Sequence, residues 1–133
     1  MDYFAYASNL SKQQMRQRCP AAKAKFQAVL PNYRLIFTGW SREWKGATAS
    51  IKPVRGERVK GGVYEISEQD LRHLDRFEGY PVTCDRINVL VLDDSGRATK
   101  AVTYVKKSQS DEGKPSPEYM AVVRQGYRDW AIE

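Results

Sequence analysis

The side chain best placed for chemistry is a glutamate where a core residue is expected. In the stretch SEQDLRHLDRFEGYP, Ser67 opens a capping-box-like start with Asp70 in the place of the usual Glu, so a helix is expected to begin there. Gly79 supplies its C-terminal stop, and Tyr80-Pro81 prevents continuation. Leu71, Leu74, Asp75 and Glu78 recur at i, i+3, i+4 and i+7, which sets Glu78 angularly between the two leucines on the apolar stripe. Arg72, His73 and Arg76 point elsewhere, mostly toward solvent. A carboxylate on a core-facing stripe is costly unless it is hydrogen-bonded or protonated, and the negative end of the helix dipole disfavours its charge further. Both effects raise its pKa toward the range where a carboxyl gives and takes a proton near neutrality. The same spacing also allows a helix that frays in its last turn and turns Glu78 outward.

Two further stretches place polar groups at element ends. The chain opens MDYFAYASNL, where an aromatic run breaks into Ala7-Ser8-Asn9. DYFAYA reads as a strand running from sheet edge to core, with Tyr3 and Ala5 on one face and Phe4 and Tyr6 on the other. Near the other end, Ser116 and Pro117 are good N-cap and first-turn residues for a terminal helix. Its apolar stripe is Tyr119, Val122, Val123, Gly126, Tyr127 and Trp130. On pattern alone Tyr119 reads as a core tyrosine with a solvent-facing tip.

The elements that must position these groups are short. Ser11 caps a helix from Lys12 to Arg18, with Pro20 marking its limit. AKFQAVL and YRLIFTG read as strands separated by the Pro31-Asn32 turn signal, and WSREWKG reads as a loop carrying Trp40 and Trp44. ATASIKP and GGVYEIS read as two more strands around a charged loop. INVLVL and KAVTYVKK form a hairpin through Asp93-Asp94-Ser95-Gly96. SQSDEGKPSP is the long polar stretch before the last helix. Several short, mostly antiparallel strands with three helices between or after them indicate an α+β fold, a mixed curled sheet or small β-barrel with helices packed outside.

The bulk properties narrow the function classes. The 133 residues form one domain, 1–133, with 41% hydrophobic residues and a core of its own. No apolar run approaches the length of a membrane span and no signal-peptide pattern opens the chain, so a cytoplasmic location and no membrane partner are expected. Cys19 and Cys84 are widely spaced and outside any metal-ligand pattern, and reduced, mostly buried thiols are expected. With His73 as the single histidine, a Cys/His zinc site lacks ligands, so no metal is expected. The net charge of +6 is spread along the chain without a dense basic block or a nucleic-acid motif. A basic, solvated surface that attracts anionic small molecules follows, and no nucleic-acid partner. Exposed Trp40 and Trp44 on that surface leave a nucleic-acid binder as a competing class, which steep salt dependence of oligonucleotide binding would mark. A serine hydrolase is set aside, because Ser8 lacks a nucleophile elbow and His73 lies on the solvent side of its helix.

Taken together, YFAYASNL, LDRFEGY and PSPEYM resemble the γ-glutamylcyclotransferase family, whose members carry a YFAYGSNL-like loop, an LDxxEG-like helix end and a late PSxxY element. The three occur in family order and span nearly the whole chain, and Cys19-Pro20 after the first helix adds to the likeness. The resemblance implies a barrel-like α+β fold and release of 5-oxoproline from a γ-glutamyl compound, with no cofactor and no metal. It implies Glu78 as the general acid/base. Tyr6, Ala7, Ser8, Asn9 and Leu10 would form the loop that cradles the γ-glutamyl group, and Tyr119 would line the same pocket. Backbone N–H groups of such a loop suit a carboxylate or a developing oxyanion. Glutathione metabolism is the implied setting, and a larger γ-glutamyl conjugate in a biosynthetic pathway is the alternative substrate. Ala7 departs from the family glycine; a requirement for positive φ would strain the loop, whereas a mere size preference would cost little. A non-catalytic small-molecule-binding homologue would be the consequence of the first. An edge strand or the tryptophan loop could support a homodimer.

Overall fold

The computed structural model describes residues 1–109 and 111–133. Five strands and three helices follow one another: β1 (Asp2–Ala5), α1 (Lys12–Arg18), β2 (Lys23–Ser41), β3 (Gly46–Glu65), α2 (Glu68–Glu78), β4 (Cys84–Leu92), β5 (Ala98–Lys106) and α3 (Pro117–Asp129). A single 3-10 turn, Ser8–Leu10, lies between β1 and α1. The strands close into a barrel in the order β1-β3-β2-β4-β5. Its ladders are antiparallel except where β1 meets β5, at Tyr3 opposite Val102. This is the expected α+β barrel with external helices. β1, however, is no edge strand, since it pairs with β3 on one side and β5 on the other.

β2 and β3 are longer than their sequence suggests. The Pro31-Asn32 signal does not separate two strands; it marks a register shift inside one ladder, where Pro31 faces Arg58 and Tyr33 already faces Pro53. Asn32 takes a positive φ of 64° there, and its side-chain oxygen accepts the Gly56 N–H at 3.0 Å. The charged segment after Pro53 is therefore strand, not loop. Its side chains alternate outward, and Arg34 on β2 pairs with Glu57 across the ladder. The tryptophan segment is the hairpin tip: Trp40 and Ser41 end β2 and Gly46 begins β3.

The helix boundaries follow their capping chemistry. Ser11 Oγ accepts the Gln14 N–H and opens α1. Ser67 and Asp70 exchange side-chain-to-backbone bonds at 3.0 Å in both directions, and Gly79 closes α2 with a left-handed φ of 76°. Ser116 Oγ accepts the Tyr119 N–H and opens α3.

Two clusters make the core. One is built from strand residues alone, among them Phe4, Leu30, Ile51, Val63 and Val91, and fills the barrel. The other joins the strands to the helices through Tyr3, Leu10, Met15, Leu74, Tyr104 and Trp130. The strict alternation of β1 divides Tyr3 and Ala5 from Phe4 between them. Cys19 and Cys84 are free and buried, as expected, and burial pushes each thiol up to about 11. Among the described residues no helix is long and apolar enough to cross a membrane.

Candidate active site

The 3-10 turn after β1 is held from three directions. The Tyr64 hydroxyl donates to the Asn9 carbonyl at 2.9 Å, and Trp130 Nε1 donates to the Leu10 carbonyl at 2.8 Å. Gly126 of α3 lies directly against Leu10; a β-carbon there would come within 2.5 Å of the Leu10 Cβ. Gly62 plays the matching part under Trp130, where a β-carbon would meet the indole at 2.6 Å. Residues far apart in the chain thus fix one turn against the barrel wall. Ala7 has a φ of −138°, so the turn does not place a left-handed residue there.

A cavity of about 600 Å³ opens beside this turn. Its floor carries Tyr3, Asn9, Glu78 and Tyr119, with Ser8, Tyr6 and Ala7 alongside. Glu78, at the last turn of α2, faces inward, and its Oε1 accepts the Asn9 Nδ2 donor at 3.4 Å. Burial raises the pKa of its carboxyl, an effect opposed by the nearby charges of Arg18 and Lys106. The helix does not fray to expose it: Tyr80 N–H bonds the Asp75 carbonyl and Thr83 Oγ1 the Glu78 carbonyl.

Asn9 organises the floor. Its Nδ2 also donates to the Tyr3 hydroxyl at 2.9 Å, while its Oδ1 accepts from Gln14 Nε2 and Arg18 Nη1, each at 3.0 Å. Gln14 Nε2 reaches Ser8 Oγ as well, at 2.8 Å. The Tyr6 hydroxyl donates to the Tyr104 carbonyl at 2.7 Å. The Tyr119 tip does not face solvent: its hydroxyl accepts the Ala49 N–H at 2.9 Å, and the ring is met edge-on by Trp44 at 5.2 Å. Burial pushes the Tyr3, Tyr6 and Tyr119 hydroxyls well above their ordinary range, so all three stay neutral donors.

Six of the seven expected site residues, Tyr6, Ala7, Ser8, Asn9, Glu78 and Tyr119, line this one cavity. Leu10 does not. Its side chain is fully buried in the cluster beneath α3; its N–H closes the turn on the Ala7 carbonyl at 3.0 Å, and its carbonyl accepts from the Trp130 indole.

Three cations line the cavity beyond the residues expected from sequence, Arg18, Lys106 and the more exposed Lys107, which faces Asp85 at 3.6 Å. Arg18 has a side chain only 10% exposed, packs over the Phe77 ring at 4.5 Å and faces Glu43 at 3.8 Å. Lys106 donates to the carbonyls of Thr38 (2.6 Å) and Thr48 (3.0 Å), and burial lowers its pKa. Spacing could have pointed to Arg18 and Lys106. Arg18 follows Gln14 by four residues on α1, and Lys106 follows Tyr104 by two on β5, so each pair shares a face. Of the long polar stretch, Ser108 reaches the cavity, whereas Gln109 and Gly113 pin the segment to the β2–β3 hairpin. Among the described residues no group of three His, Cys, Asp or Glu side chains could hold a metal ion.

The site sets neutral hydroxyls, cationic side chains and one carboxyl of raised pKa around a single cavity, an arrangement suited to anionic small molecules and to proton transfer at Glu78. The sequence and the fold recur in known proteins. The family model described as gamma-glutamyl cyclotransferase, AIG2-like, matches residues 3–126. The gamma-glutamylcyclotransferase of Homo sapiens is 29% identical over 136 residues, covering 96% of this chain and 70% of its own length. That of Bos taurus is 30% identical over 132 residues with the same coverage. A solved structure of a gamma-glutamyl cyclotransferase, 27% identical, superposes with a TM-score of 0.94 over 99% of this chain and 80% of its own. With its floor, its turn and its barrel all in place, the chain belongs to the γ-glutamyl cyclotransferase, AIG2-like family.

Proposed function

We propose that the protein is a cofactor-independent γ-glutamylcyclotransferase that releases 5-oxoproline and a free amine or amino acid from a γ-glutamyl compound. The observation that carries this reading is the inward Glu78 carboxyl, its pKa raised by burial and its position tied to the loop through Asn9. Names shared by relatives over most of the chain support the general activity.

The substrate supplies its own nucleophile, so the protein needs none. Cys84, with its thiol held up to about 11, stays protonated, and Ser8 Oγ is occupied by Gln14. The cavity must fold the γ-glutamyl chain so that its α-nitrogen approaches its γ-carbonyl. Glu78 takes a proton from the α-ammonium, and the amine lone pair forms the new C–N bond. The carbonyl oxygen becomes an oxyanion, which Lys106, Arg18 or N–H groups at the start of the 3-10 turn can stabilise. Collapse of this intermediate breaks the old amide bond while Glu78 returns its proton to the departing nitrogen, and the second proton on the new ring nitrogen passes to the released amine, which leaves as ammonium. Atoms and charge balance, and Glu78 ends as it began. A carboxyl with a pKa nearer neutrality performs both transfers better than an ordinary glutamate.

Incubation with a panel of γ-glutamyl amino acids and amines, followed by mass spectrometry for 5-oxoproline, tests the proposal beside a Glu78→Gln control. Product that disappears in the control supports both reaction and residue. Equal product in the control, or activity lost on Ser8→Ala and kept in Glu78→Gln, would sink the proton-shuttle role.

A further inference from the structure

The cavity that holds Glu78 has an apolar mouth. Trp40, Phe77 and Val82 are 74%, 55% and 80% exposed, and all three line it. They come from separate places: the end of β2, the last turn of α2 and the segment before β4. The other large apolar side chains that stand exposed among the described residues, Met1 and Leu90, lie elsewhere. Scattered exposed hydrophobics are ordinary, but convergence of three on one opening marks a surface with an occupant.

The mouth is also fixed to the floor. Arg18 bonds Asn9 on one side and lies over the Phe77 ring on the other. Trp44, in the β2–β3 hairpin tip beside Trp40, meets the Tyr119 ring edge-on at 5.2 Å. The charges at the mouth are matched against one another, Arg18 with Glu43 at 3.8 Å and Lys107 with Asp85 at 3.6 Å. Ser41, Thr83 and Ser108 add uncharged polar groups to the lining, and beside them stands the apolar area of Trp40, Phe77 and Val82.

Chemistry identifies the occupant. If the scissile amide lies beside Glu78, the glutamyl half fills the polar floor and the leaving amine extends toward the opening. A cavity of about 600 Å³ has room for much more than the glutamyl half. We propose that Trp40, Phe77 and Val82 form the leaving-group subsite, and that the preferred substrates are γ-glutamyl derivatives of amines or amino acids with a large apolar or aromatic side chain. This rests on the cyclotransferase reading.

The test is kcat/KM for 5-oxoproline release by the full chain from γ-glutamyl-phenylalanine, γ-glutamyl-alanine and Nε-(γ-glutamyl)-lysine. The phenylalanine compound should exceed the alanine compound by about tenfold or more, as apolar pocket contacts of this size allow. Trp40→Ala and Phe77→Ala should each cut that ratio severalfold, since each removes part of the wall. A ratio of one or less in the unaltered protein overturns the proposal. So does a ratio that neither variant changes, or a lysine compound turned over best. Release from the alanine compound without any preference for phenylalanine leaves the reaction standing and removes this inference alone. No 5-oxoproline from any of the three removes the reaction, and the inference with it.

Discussion

The floor and the mouth of the cavity are built on opposite rules. On the floor, Tyr3, Asn9 and Tyr119 are nearly inaccessible and their polar atoms are bonded to one another, to neighbouring side chains or to backbone. At the mouth, Trp40 and Val82 stand in water. Burying polar groups is costly unless they are paired, so a floor of this kind exists only in one arrangement, and that arrangement holds Glu78 in place. The mouth has no such constraint. Trp40 and Val82, exposed as they are, should contribute little to folding, whereas Phe77 is tied to the floor through Arg18. On the proposed reading, such a scaffold keeps one reaction while its leaving group changes.

The comparison breaks most sharply at Glu78. Glu78→Gln should lower kcat/KM by about a thousandfold, within the range for loss of a general acid/base, in steady-state 5-oxoproline assays. The same variant should gain stability at neutral pH. Burial holds the Glu78 pKa above that of the unfolded chain, so the folded protein binds this proton more tightly. Stability is then lost as pH rises from the ordinary glutamate range through the raised folded value. Glutamine does not titrate, so the variant's Tm should exceed that of the unaltered protein at about pH 8 and the gap should narrow toward about pH 4. A gap that widens on acidification would contradict the buried carboxyl.

Asn9→Ala should follow in size. It leaves Tyr3, Gln14 and Arg18 without a shared partner, at a cost of about 1–3 kcal/mol in denaturant unfolding, and frees Glu78 to move. Gly126→Ala tests the same floor from behind, because the added methyl must displace Leu10 and the turn; about 1–3 kcal/mol is expected, with activity falling alongside. Arg18→Gln removes the leading charge that opposes the raised Glu78 pKa, so the acid limb of the kcat/KM–pH profile should move upward. Smallest is Trp40→Ala, whose unfolding free energy should lie within about 0.5 kcal/mol of the unaltered protein. A large loss there would make the mouth structural and erase the contrast with the floor.

Much of the scaffold is legible locally because its signals are local. Ser11, Ser67 with Asp70, Gly79 and Ser116 mark helix ends through bonds made within a few residues. The inward face of Glu78 follows from helical period alone, though period could not decide whether the last turn would hold. The Pro31-Asn32 pair misled for a physical reason: turn chemistry inside a long ladder makes a register shift as readily as it ends a strand, and only the partner strand decides which. Tyr119 looked like an ordinary core residue because its role depends on Ala49, seventy positions away.

The sequence by itself determined the α+β class, the helix caps, the division of β1 between two faces and the family motifs that single out Glu78, all of which rest on spacing and neighbours. Only the tertiary structure decided that the strands close into a barrel and that Tyr64, Trp130 and Gly126 pin the turn. It also brought Arg18 and Lys106 to Glu78 and gathered Trp40, Phe77 and Val82 at one opening. These depend on which distant surfaces bury one another, and no local propensity encodes that.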